Sequence, residues 1–137
     1  MPDDTIRSHS TSVFARYGGI GGLRSVIFDF YDRVLDNDVV GHFFDDVDMA
    51  KLVDHQTKFF ASVLGGPVHF ADQRLERAHA HLIVTHAHFN EIKDILRETL
   101  EHAGFVPQDV QMTLTAVEAR RSIIVKRPAA ALVASAA

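Results

Sequence analysis

At 137 residues, with 47% hydrophobic and 23% charged side chains, the chain has the size and composition of one soluble globular domain, which excludes a wholly disordered polypeptide. The formal charge of −4, with acidic and basic residues interspersed, excludes the basic face that a nucleic acid or an anionic membrane requires, and leaves small molecules or other proteins as partners. Cysteine is absent, so disulfide, iron–sulfur and thiolate-held metal chemistry are excluded, and any metal must rest on the nine histidines or on carboxylates.

Residues 1–12 are polar and turn-forming and read as a flexible lead-in, 13–127 as the folded domain, and 128–137 as a small-residue tail. No apolar run reaches the roughly 18 residues that span a bilayer, and no basic start leads into an apolar core, so the expected compartment is the cytoplasm. Periodicity is helical nearly throughout, and the expected fold class is all-α. A first strong helix follows Gly21–Gly22, where Leu23, Val26, Ile27, Phe30, Tyr31 and Val34 draw one stripe, and Asn37 and Gly41 end or bend it. After a connector with Phe43–Phe44, Asp48 is placed to cap a helix from Met49 to Leu64, with Met49, Leu52, Val53, Gln56, Phe60, Val63 and Leu64 on its buried face. Gly65–Gly66–Pro67 stops it. A short helix is predicted over Leu75–Ala80. A long one carries Phe89, Ile92, Leu96, Leu100 and Ala103 up to Gly104, and a last one runs from Pro107 with Val110, Leu114, Val117 and Ile124 on its stripe.

Two polar side chains interrupt these stripes, Tyr31 and Gln56. A buried phenol or amide without a partner costs roughly 1–3 kcal/mol, so each must bond to something: to one another, to the backbone, or to a ligand held between them. Histidines cluster in HAHLIVTHAH, residues 79–88, as two H-x-H pairs separated by four residues. Such pairs suit zinc, but the intervening residues turn these rings in several directions. A single ring aimed at a haem iron needs less, and exposed helix-terminal histidines account for the others.

The ordered set Tyr17-x-x-Ile20-Gly21-Gly22, Asp29-Phe30-Tyr31-x-Arg33-Val34-Leu35, Phe43-Phe44, Asp48-Met49, Phe59-Phe60 and Gly65-Gly66-Pro67 resembles group I truncated haemoglobins, from about Phe14 to Val125. The resemblance implies a truncated globin in which two helix pairs cross around a haem, a two-over-two helical sandwich. It implies that Gly21–Gly22 lets the first short helix pack closely on its neighbour and that Gly65–Gly66 lets the chain leave the distal helix sharply. A third family glycine, in the loop before the proximal helix, is here Asp72, and the aromatic before it is Phe70 where Tyr is commoner.

Spacing within the family places the proximal iron ligand at His79, while His81 and His86 match no ligand position. Phe44 matches the aromatic on the haem face, and Phe30, Leu52, Phe60 and Leu75 are expected to line the pocket. Tyr31 and Gln56 are then the donors toward a bound gas, oxygen, nitric oxide or carbon monoxide. The Tyr, Leu, Gln set resembles members regarded as nitric-oxide dioxygenases, which turn nitric oxide and bound oxygen into nitrate and depend on an electron-donating reductase. His55 either takes the sixth iron site, as in a subset of the family, or faces solvent near the haem propionates. The last helix offers Arg120 and Arg121 and no His, so non-covalent haem b is expected. A carrier or sensor without turnover, a six-coordinate redox globin using His55, and a cofactor-free helical module are the alternatives. A monomer or weak dimer is expected.

Overall fold

A computed structural model describes residues 12–125 as seven α-helices and one 3-10 turn, with no strand among the described residues. The predicted lead-in and tail therefore lie outside the described residues, except for Ser12. Its hydroxyl accepts from the Ala15 amide at 3.1 Å and caps α1, Val13–Arg16.

Between α1 and α2, Gly19–Leu35, the chain turns through left-handed backbone at Gly18 (φ 96°) and Gly19 (φ 64°). The first strong helix thus begins ahead of Gly21–Gly22, and only one of that pair is sterically required. A Cβ on Gly22 would stand 2.0 Å from the Tyr17 carbonyl oxygen, whereas one on Gly21 would meet nothing within 4 Å. On α2, Leu23, Ile27, Phe30, Tyr31 and Val34 are buried, as the stripe predicts.

Asn37 turns the chain at the end of α2: its side-chain oxygen accepts from the Val39 and Val40 amides at 2.8 and 3.1 Å. The 3-10 turn Gly41–Phe44 follows, then α3, Met49–Val63, capped by Asp48, which accepts from the Lys51 amide at 3.2 Å. The predicted stripe of α3 is too narrow. Val53, Phe60 and Leu64 of it are buried and Met49, Leu52, Gln56 and Val63 half-buried, while Thr57, Phe59 and Ala61 are buried as well, with Phe59 edge to face against Phe60 and Phe70. At the helix end, Gly65 (φ 88°) and Gly66, whose Cβ would come within 2.9 Å of the Phe14 ring, let the chain leave sharply past α1.

The short helix, α4, spans Asp72–His79 and not Leu75–Ala80. Asp72, in the position of the missing glycine, lies in its first turn, where a carboxylate favours the helix N-terminus and extends it backwards. Helix α5, His86–His102, closes at Ala103–Gly104, and α6 starts at Pro107 as predicted. The predicted last helix is two. It breaks after Glu118, where the Arg120 guanidinium takes the Ala116 carbonyl at 2.7 Å, and resumes as α7, Arg121–Ile124.

Helix α2 packs on α3 and on α5, α5 packs on α6, and α4 packs on α7. The core follows these contacts: Ile27, Val34, Leu96 and Leu100 are fully buried, each contributing about 1.5–3 kcal/mol by leaving water. The buried threonines Thr57, Thr99 and Thr113 return their hydroxyls to the carbonyls four residues back at 2.7–2.8 Å and so add no unpaired polar group. Asp109, 5% exposed, is likewise paired: both oxygens accept from Arg16 at 2.9 Å and one from the Tyr17 hydroxyl at 2.7 Å. With Tyr17 stacked 3.7 Å from Phe105, this cluster ties the N-terminal helix to the start of α6.

Candidate cofactor pocket

A cavity of about 350 Å³ opens between α2, α3, α4 and α5, with the end of α6 at its inner side. Most of its wall is apolar, built from Phe30, Leu52, Phe60, Leu75, Phe89 and Leu96 among others. Every pocket residue predicted from sequence lines it except His55, which lies outside the wall beside Gln56. The helix explains the split, since Leu52 and Gln56 are one turn apart and share a face from which the adjacent residue is rotated by about 100°.

Tyr31 stands in the C-terminal half of α2, edge to face with Phe30 at 4.8 Å and with Phe44 at 5.7 Å. Burial pushes its phenol well above the ordinary tyrosine range, so it remains a protonated donor at any physiological pH. Among the described residues neither the Tyr31 hydroxyl nor the Gln56 amide has a hydrogen-bond partner, and both face the cavity. The idea that they satisfy each other or the backbone is therefore not what the structure displays.

His79 is the last residue of α4 and lines the same cavity. Its Nδ1 lies 2.8 Å from the Leu75 carbonyl oxygen. A carbonyl can only accept, so Nδ1 carries the proton and the ring's lone pair sits on Nε2, the tautomer in which an imidazole ligates a metal. That bond, returned to its own helix one turn back, also fixes the ring's rotation. Among the described residues no group of three or more His, Cys, Asp or Glu side chains could hold a bare metal ion, so the zinc reading of the HAHLIVTHAH cluster finds no support there. An apolar slot with one oriented imidazole and two unpaired donors instead fits a flat, largely apolar metal chelate that accepts one protein ligand.

Two further histidines stand in the wall: His81, which matched no ligand position in the sequence, and His88, which was given no role there. His88 was legible in one respect. Thr85-x-x-His88 has the spacing of a capping box, with His in the place of the usual Glu or Gln, and the box forms: the Thr85 hydroxyl accepts from the His88 amide, and His88 Nδ1 accepts from the Thr85 amide, both at 3.1 Å.

Fold and pocket together define an all-helical protein with an apolar cavity shaped for a flat cofactor. A family model for bacterial-like globins matches residues 12–125. The group 1 truncated hemoglobin of Synechocystis is 33% identical over 111 residues, covering 78% of this chain and 89% of that protein. That of Tetrahymena pyriformis is 28% identical over 110 residues, covering 80% of this chain and 91% of the relative. The solved ferric structure of the Tetrahymena protein aligns with a TM-score of 0.78 at 26% identity, over 85% of this chain and 100% of the other. A Synechococcus 2/2 hemoglobin with covalently attached heme aligns with a TM-score of 0.79 at 28% identity and the same coverage, 85% and 100%. The chain belongs to the bacterial-like globin family, among its group 1 truncated haemoglobins, and as such is a haem protein that binds oxygen and other small gases.

Proposed function

We propose that this truncated globin is a nitric-oxide dioxygenase holding non-covalent haem b, with His79 as its iron ligand. When bound, haem supplies the iron that takes up oxygen and the one electron with which nitric oxide and oxygen become nitrate, an electron that a reductase then replaces. The observation that carries the reading is the pair of donors, Tyr31 and Gln56, unpaired among the described residues inside an otherwise apolar cavity that also contains His79. Two donors converging on a small ligand favour one that gains negative charge, as oxygen does, and disfavour its early escape.

Leu52 and Phe60 keep that space dry, which strengthens the two hydrogen bonds and excludes water as a competitor. The Leu75 carbonyl holds His79 in the ligating tautomer and makes it a better donor to the metal. His55 stays out of the cavity, which supports a resting state without a sixth protein ligand. Where a histidine would be needed to attach haem covalently, the C-terminal wall presents Arg120, held by Asp72 at 3.3 Å and the Ala116 carbonyl, and this supports a removable haem.

Rapid mixing of the oxygenated protein with nitric oxide tests the proposal. Stoichiometric nitrate together with a ferric spectrum is expected. Oxygenated protein that survives nitric oxide, or nitrate formed no faster than in buffer, would overturn it in favour of a carrier or sensor.

A further inference from the structure

Haem carries two carboxylates, and an apolar cavity cannot take them without large desolvation cost, so they must lie at its rim against a donor. Few side chains in the wall offer one. Arg120 is committed to Asp72 and the Ala116 carbonyl, Tyr31 and Gln56 belong to the gas site, and His79 to the iron. His81, exposed on the turn that follows α4, has no hydrogen bond or ring contact among the described residues to fix its ring.

His88 remains. Its ring is half-buried in the cavity wall and braced edge-on against Phe43 at 4.9 Å, and Phe43 in turn lies against His42 at 4.4 Å. Its Nδ1 accepts the Thr85 amide proton, which demands a lone pair there and puts the neutral ring's proton on Nε2. Nε2–H is the one polar group of that ring without a partner among the described residues. We propose that His88 Nε2–H anchors one haem carboxylate at the pocket rim, with Thr85 setting the tautomer and Phe43 the angle of the ring. The role rests on haem occupancy of this cavity and not on the dioxygenase reading.

The capping box supplies the test. Glu at this position keeps the acceptor that the Thr85 amide needs, so the helix start survives, but it replaces the donor with a negative charge. Gln keeps both an acceptor and a donor. Haem transfer to an excess of apomyoglobin should be about three- to tenfold faster from His88→Glu than from wild type, with His88→Gln close to wild type. With iron protoporphyrin dimethyl ester, which lacks the carboxylates, all three proteins should release the porphyrin at equal rates. The proposal is overturned if His88→Glu retains haem like wild type, or if native and esterified porphyrins are lost faster in the same proportion. Wild-type apoprotein that takes up neither porphyrin overturns haem binding itself, and shows this before any variant is compared.

Discussion

At the scale of single residues, the histidine at the end of α4 is the most decisive. His79→Gly should lose haem or leave an iron site restored by added imidazole, whereas alanine at His86, exposed and outside the cavity wall, should change the Soret spectrum little. Spectra of the ferric and ferrous variants check this, and an unchanged spectrum in His79→Gly would remove the ligand assignment. Tyr31→Phe deletes a donor whose proton burial holds in place, so oxygen should dissociate about ten- to a hundredfold faster, with carbon monoxide much less affected, by stopped-flow. Equal effects on both gases would mean that the phenol acts by shape. Because His55 lies outside the wall, His55→Leu should leave the gas-free ferrous spectrum high-spin and nearly unchanged. Conversion of a low-spin to a high-spin spectrum by that substitution would place the ring on the iron. Tyr31 and Gln56 were legible in the sequence because a polar residue on an apolar stripe is an anomaly that periodicity exposes. For His88 only the capping-box spacing from Thr85 was legible; its place in the wall arises from the meeting of α5 with the 3-10 turn, a contact that no local pattern encodes.

At the scale of elements, helix cores were legible and helix ends less so. The buried stripe on α2 followed from spacing, with only Val26 half-buried, whereas on α5 Phe89, Leu96 and Leu100 are buried but Ala103 is exposed and Ile95 and Thr99 lie inside unpredicted; the starts of α2 and α4 depended on Gly18–Gly19 and Asp72, whose effects lie in backbone angle and dipole. The glycines give a paired test. Gly22→Ala forces a methyl into the Tyr17 carbonyl and should destabilise by about 1–3 kcal/mol, while Gly21→Ala enters open space in a helix and should stabilise by roughly 0.5 kcal/mol. Urea denaturation of the two variants measures the difference, and equal stabilities would contradict the close crossing of the turn after α1 over α2.

At the scale of the whole molecule, a charged clasp joins the C-terminal helices to α5. Arg121 and Lys93 together draw the Glu118 carboxyl down to about 2, and Arg121 also lies over the Phe89 ring at 4.4 Å. The folded-state value is below the ordinary glutamate value of 4.5, so this stabilisation is present above 4.5 and disappears as pH falls toward 2. Glu118→Gln should therefore flatten the acid limb of the stability curve across that window, and an unaltered limb would show the clasp to be idle. Helix α4 is eight residues long, has a single buried side chain, Leu75, and packs mainly on another short helix, yet it ends on His79, the iron ligand proposed above. Isolated helices of that length do not persist in water, so if His79 holds the iron as proposed, its coordinate bond would tether its own helix. Limited proteolysis reads this directly: trypsin should cut at Arg74 or Arg77 faster in haem-free protein than in loaded protein, and equal rates would show that α4 is held without the cofactor.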